Sequence, residues 1–373
     1  MKLGFICPSS PEPVGGVIVL YELANGLARR GHVVHIGHVS PWGQPVTGVA
    51  DMPWFTFDPG IRHHFTDTDD ATEGEAVVVD VVFGAVTHRT PVDALPAGLI
   101  QGFDMLGPEI ETEWFRHPGL KVVVASWLVD AARHLGTPAE QCVIVPPGIP
   151  LDTFRIQTPV HDRPAAVAML GHNHPAKGTR IGLAALEQVH AARPDVQVVL
   201  FRAHEIDHPV PPWVEQISAP DHQGLSRLLN RCSIFLQPSI YEGFGLTAVE
   251  AMASGCALVS TDNGGSRDYA FADRTAVVTD RGDADALARA VIHLLDRPDE
   301  RARLALAGHQ HVQRFTWDES ARLLEGALET YIADPERFLA PPGPNLLADV
   351  PARGNWATTV LSATRDIARL SRL

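Results

Sequence analysis

The sequence predicts an α/β protein built from two parallel-sheet halves, on three observations. Short apolar runs alternate with helix-length amphipathic segments from the first residues, the pattern of strands joined by helical crossovers. The alternation breaks at Pro146-Pro147-Gly148-Ile149-Pro150 and then begins again. The length of 373 residues fits two domains at about 150 residues each. Apolar residues at 45% and charged residues at 20% are enough to fill two cores.

In the first series, residues 3–7 read as a buried strand, 18–30 as an amphipathic helix closed by Gly31, and 33–39 as a second strand. Strands follow at 76–83, 98–101 and 122–125, then a helix at 128–135 and a strand at 143–145. The domain boundary is expected near 155–163, after the Pro-Gly break. The second series gives strands at 166–170, 196–201, 234–237 and 257–260. Its helices are expected at 179–192, 224–229, 247–253, 284–295 and 299–311. Two such sheets predict Rossmann-like domains facing a central cleft, and sheets of this kind hold ligands beyond the carboxyl ends of their strands. Pro341-Pro342-Gly343-Pro344 separates a tail whose residues 356–370 have helical apolar spacing.

Charge narrows the partners. Lys and Arg total 30 against 44 Asp and Glu, a formal balance of −14, which disfavours a nucleic-acid partner. Only three of the cations are lysines, Lys2, Lys121 and Lys177, so each invites a reason. Cys7, Cys142, Cys232 and Cys256 lie far apart and show no metal-ligand spacing, which predicts reduced thiols and no disulfide framework. The apolar stretch at 3–7 is too short for a signal-peptide core, and no run approaches the ~20 residues of a membrane span. The expected location is the cytoplasm, or the inner face of a membrane if something carries the chain there.

The most informative stretch is Pro238-Ser239-Ile240-Tyr241-Glu242-Gly243-Phe244-Gly245-Leu246-Thr247-Ala248-Val249-Glu250-Ala251-Met252. A strand ends at Gln237, a Gly-containing turn follows and a helix opens near Thr247. Free amides at that helix start, with Gly243 and Gly245 permitting close approach, suit a diphosphate. A lone strand-turn-helix with two glutamates is ordinarily a solvated helix end, but this local sequence is more particular. It closely resembles the E-x7-E signature of glycosyltransferase family 4, in the form E-G-F-G-L-x-x-x-E-A-M. By that resemblance Glu242 contacts the transferred sugar and Glu250 holds the ribose hydroxyls. The backbone at Phe244, Gly245, Leu246 and Thr247 cradles the diphosphate.

The flanks agree. Gly255-Cys256-Ala257-Leu258-Val259-Ser260 and Asn263-Gly264-Gly265 resemble the strand and turn that follow the signature. Gly171-His172-Asn173-His174-Pro175-Ala176-Lys177-Gly178 resembles the loop in which an arginine and a lysine grip the donor phosphates. Lys177 and Gly178 fit; His172 stands at the arginine's place and Arg180 is the nearby cation. A neutral imidazole offers one donor and no charge there. Pro13-Val14-Gly15-Gly16 resembles the family's loop over the diphosphate. Residues 145–154 resemble the linker entry, and Phe315-Thr316-Trp317-Asp318 the segment before a helix that returns to the first domain. The resemblance covers about residues 1–332. It departs at Gly98-Leu99-Ile100-Gln101-Gly102-Phe103-Asp104-Met105, where many members carry a histidine near the sugar. This stretch, with Ser126-Trp127-Leu128, is closer to a rhamnosyltransferase-like subgroup. Asp104 or Gln101 is then a candidate contact to acceptor or sugar, and a turn cap is an equally weighted role for Asp104.

Other patterns are set aside. Asp67-Thr68-Asp69 imitates a metal-binding D-x-D, but it sits in an acidic, Thr-rich loop. His172-Asn173-His174 spells a nuclease-like triplet in a chain too acidic for that chemistry. His32, His35 and His38 recur every three residues on a strand, so they cannot share one face and make poor ligands. A glycosidase pair is disfavoured: if Glu242 and Glu250 lay on one helix, eight residues would span ~12 Å, beyond the ~5–9.5 Å that hydrolytic carboxylates need. The stripe at 356–370, with Arg365, Arg369 and Arg372 opposite, fits packing on the protein better than a membrane-surface helix.

The resemblance implies a GT-B fold: an acceptor-side domain over 1–158, a nucleotide-sugar domain over 159–318, and a returning helix with tail over 319–373. It implies a retaining hexosyl transfer from a nucleotide diphosphate sugar to a saccharide or glycolipid hydroxyl, with GDP-mannose the first donor expected. The expected donor-side residues are Gly15, Gly16, Gly171, Lys177, Arg180, Glu242, Phe244, Gly245, Leu246, Thr247 and Glu250. Glu242, Lys177, His172 and Asp104 are the candidates nearest the chemistry. No cofactor and no metal are expected. A nucleotide-sugar epimerase or hydrolase, or a non-catalytic sugar-nucleotide binder, are the alternatives.

Overall fold

The first apolar run becomes β1 (Lys2–Pro8), with Leu3, Phe5 and Cys7 buried. Next comes α1 (Gly15–Arg29), which buries Val17, Leu20, Leu23, Ala24 and Leu27 in the i, i+3, i+4 pattern of a helix laid on a sheet. Gly31, at φ +87°, turns the chain into β2 (Val33–Val39). Then come β3 (Arg62–Phe65), β4 (Val81–Gly84), β5 (Leu95–Ile100), α2 (Pro108–Arg116), β6 (Leu120–Val123), α3 (Ser126–His134) and β7 (Cys142–Ile144). Among the described residues this sheet has seven strands, all parallel, in the order β3-β2-β1-β4-β5-β6-β7.

A second parallel sheet follows. Its elements are β8 (Ala166–Gly171), α4 (Thr179–Ala192), β9 (Gln197–Arg202), β10 (Glu215–Ser218), α5 (His222–Asn230), β11 (Ile234–Gln237), α6 (Leu246–Ala253), β12 (Ala257–Thr261), β13 (Ala276–Thr279), α7 (Ala284–Asp296) and α8 (Pro298–Val312). The strand order is β10-β9-β8-β11-β12-β13. Val167, Met169, Val198, Leu200, Ile234, Leu236 and Val259 form its buried centre, covered by Leu186 and Val189 of α4 and by Val291 and Leu294 of α7. Asp221 and Asp283 cap α5 and α7 by accepting from the amides of Gly224 and Ala286 at 2.6 and 2.8 Å. After the second sheet come α9 (Trp317–Ala333) and α10 (Pro335–Leu339).

The computed structural model describes residues 1–40, 45–65, 79–84, 94–102 and 108–345. Asp67-Thr68-Asp69, Asp104 with its neighbours Phe103 and Met105, the first residues of the strand expected at 76–83, and the 356–370 stripe with Arg365, Arg369 and Arg372 lie outside them. Two compact units are present: Met1–Gly148 with the chain from Trp317 onward, and Ile149–Thr316. Residues 155–163, where the sequence predicts the boundary, lie within the segment Ile149–Thr316. In the first unit α9 packs on α1, so closely that a Cβ on Gly26 would come within 2.5 Å of the Ala321 Cβ. Among the described residues no helix is long and apolar enough to cross a membrane.

The first sheet holds a pairing that spacing alone does not reveal. His35 and His38 of β2 do lie on opposite faces, and each meets an imidazole of β3: His35 Nδ1 is 2.9 Å from His64 Nε2, and His38 Nε2 is 2.9 Å from His63 Nδ1. His38 Nδ1 is also 2.8 Å from Ser9 Oγ.

Candidate functional site

In the second sheet β8 and β11 are neighbours, and the loops leaving their carboxyl ends meet. One loop runs from His172 to Gly178, the other from Pro238 to Gly245. The Ile240 amide donates to the Ala176 carbonyl at 2.7 Å. Gly178, at φ +65°, lies so close to the Pro238 carbonyl that any side chain would collide with it. This contact requires glycine twice, for conformation and for space.

Lys177 and Glu242 join across these loops. Lys177 Nζ donates to Glu242 Oε2 at 2.8 Å, and Ser239 Oγ donates to Glu242 Oε1 at 2.8 Å. Glu242 is only 8% exposed, and its backbone is tied to the following turn: its amide donates to Asn263 O at 2.9 Å and its carbonyl accepts from the Gly265 amide at 3.2 Å. The carboxylate is therefore fixed in direction by one cation and one hydroxyl.

Beyond Glu242 the chain passes through Gly245, in the left-handed region at φ +97°, into α6. Among the described residues, the amides of Phe244, Gly245, Leu246 and Thr247 meet no acceptor. Such amides, at a helix N-terminus with its positive dipole end, suit an anion. The Phe244 ring is itself core, set edge-on to Tyr269 and Phe315 with centroids 5.6 and 5.2 Å away. Below the turn, Ser260 Oγ donates to Gln237 Oε1 at 2.9 Å, and Gln237 and Tyr269 fill the space a Gly245 side chain would need. Glu250 lies about one turn along α6, partly buried, with no hydrogen bond to its carboxyl among the described residues. Burial pushes its carboxyl up to about 7.

The remaining expected residues fall as follows. Gly171 ends β8, packed against Leu200 and Ile206. The His172 ring lies in the electrostatic surroundings of Lys177 and Glu242. Arg180 is exposed, with its guanidinium 3.8 Å from Asp207 Oδ1. Gly15 and Gly16 open α1 in the first unit, where Gln101 Nε2 donates to the Gly16 carbonyl at 2.8 Å. Sequence reasoning assigned no role to Ser239, although it stands three residues before Glu242; nor to Gln237 and Tyr269, whose partners come from other strands and carry no local signal.

Residues 214–311 match the family Glycosyl transferases group 1. The chain is 28% identical to the MMP alpha-(1->4)-mannosyltransferase of Mycolicibacterium hassiacum over 58% of its own length and 55% of that protein. It thus spans about half the length of that curated relative. It is 25% identical to the phosphatidyl-myo-inositol mannosyltransferase of Mycobacterium tuberculosis over 88% of its length and 97% of that protein. In fold it is similar to the sucrose-phosphate synthase of Thermosynechococcus elongatus, with a TM-score of 0.71 at 17% identity, covering 89% of this chain and 99% of that one. The second unit thus carries the match to Glycosyl transferases group 1, and over most of its length the chain has the GT-B fold.

Proposed function

We propose that the protein transfers a hexose from a nucleotide diphosphate sugar to a hydroxyl of a saccharide or glycolipid acceptor, with retention at the anomeric carbon. The observation that carries this reading is the Lys177–Glu242 pair, set beside four consecutive amides without acceptors. In it the amides of Phe244, Gly245, Leu246 and Thr247, with Lys177, hold the diphosphate. Glu250 takes the ribose hydroxyls, which give its desolvated carboxyl the partners it lacks. Glu242 orients the sugar ring. The anomeric C–O bond to the diphosphate breaks, the acceptor oxygen bonds to the same face, and the acceptor's proton passes to the departing phosphate. Positioning and stabilisation of charge on the leaving group supply the rate. Mannose is supported as the sugar by the two mannosyltransferase relatives, and GDP-mannose is the first donor to test.

The test is release of nucleoside diphosphate from GDP-mannose, a TDP-linked deoxyhexose and UDP-glucose, with and without acceptor extracts and with EDTA present. Release that needs acceptor and survives EDTA is expected. Release without acceptor would mean a hydrolase, and loss restored by Mn²⁺ or Mg²⁺ would contradict the metal-free grip.

A further inference from the structure

The loop after β8 fixes, by backbone geometry, which ring nitrogen of its histidines accepts a hydrogen bond. The His174 amide donates to His172 Nδ1 at 2.8 Å, and the Ala176 amide donates to His174 Nδ1 at 3.2 Å. A backbone amide has only a proton to give, so each Nδ1 must present a lone pair, and the proton of each neutral ring sits on Nε2. The loop is anchored while it does this. The His172 amide donates to Thr179 Oγ1 at 2.9 Å, and that hydroxyl donates back to the His172 carbonyl at 2.7 Å. Between the two rings, Asn173 Nδ2 donates to the Glu205 carbonyl at 2.8 Å and Asn173 Oδ1 accepts from the Asp207 amide at 3.0 Å.

We infer that His172 serves the nucleotide site as a tautomer-locked neutral donor, giving its Nε2–H to an oxygen of the bound diphosphate and leaving Lys177 as the cation of that grip. This rests on the nucleotide-sugar reading above. The groups around the ring agree with it. Burial, Lys177, His174 and His204 all hold His172 below the usual imidazole range, and Glu242 alone opposes them. Protonation at Nδ1 would also forfeit the His174 amide bond. Arg180, the other nearby cation, is turned to Asp207.

Two measurements on the full-length protein test this separately. Long-range ¹H–¹⁵N NMR of the free protein at pH 7.5, with signals assigned by their loss in His172→Gln, is expected to show Nδ1 unprotonated and Nε2 protonated. An imidazolium, or the Nδ1–H form, would overturn the lock whatever the protein's activity. Calorimetric titration with GDP, UDP and TDP is expected to show about tenfold weaker binding in His172→Ala. His172→Gln, which keeps a neutral donor, should stay within about threefold of the parent. Equal binding by parent and His172→Ala would overturn the donor role. Failure of the parent to bind any of the three would count against the nucleotide-sugar reading, while the NMR result still decides the tautomer.

Discussion

Glu242 and Glu250 have the same side chain in opposite circumstances. Glu242 has a cation and a hydroxyl on its two oxygens. Glu250 has neither, and burial raises it toward neutrality. In the proposed complex Glu250 bonds to a part of the donor that does not change during reaction, so its contribution is equal in ground and transition states. Glu250→Ala should mainly raise the donor KM with a modest loss in kcat. In the same proposed complex Glu242 faces the ring whose anomeric carbon becomes cationic. Glu242→Ala should lower kcat by ~10²-fold or more while free nucleoside diphosphate still binds. Steady-state kinetics on both variants check this; the opposite pattern would exchange the two roles. Ser239, which aims the Glu242 carboxylate, was invisible as a functional residue because a serine before a turn is ordinary.

At the scale of elements, the site depends on two loops being laced together. Gly178→Ala forces a left-handed conformation on a residue with a side chain and drives that side chain into Pro238. It should cost at least about 2 kcal/mol in urea unfolding and weaken donor binding. The histidine pairs of β2 and β3 make a second prediction. Burial first, and neighbouring imidazoles second, lower His35, His38 and His63, with His38 near 3. Unfolded histidines protonate near 6.5, so below that pH the unfolded chain binds more protons and stability falls as pH falls. His38 alone should cost about 2 kcal/mol by pH 5. Urea midpoints between pH 7.5 and 5 check this, and His63→Gln, which keeps a polar partner but does not titrate, should flatten the slope. The central strands were legible in the sequence because a strand covered on both faces must be an apolar run. Arg62–Phe65, Glu215–Ser218 and Ala276–Thr279 were not: all three are sheet edges, and the first two satisfy polar side chains instead of burying apolar ones. The signature around Glu242 was legible because turn, glycines and helix start are contiguous. The histidine pairs were hidden because β3 itself was.

Across the whole molecule, the two units differ in how the chain builds them. The second is one continuous segment, Ile149–Thr316, and it carries Lys177, Glu242, Glu250 and the amides at 244–247. Expressed alone it should unfold cooperatively and bind nucleotide. Residues 1–148 lack α9, whose Ala321 covers Gly26 of α1, and should aggregate or unfold when expressed alone. In the proposed complex the second unit holds a nucleoside diphosphate between Lys177, the amides at 244–247 and Glu250. Calorimetric titration of the full-length protein with GDP, UDP and TDP, repeated on Lys177→Ala and Glu250→Ala, tests it most directly. One of the three should bind the parent, and each substitution should weaken it at least about tenfold, near 1.4 kcal/mol. Binding of none, or binding indifferent to both substitutions, would contradict it.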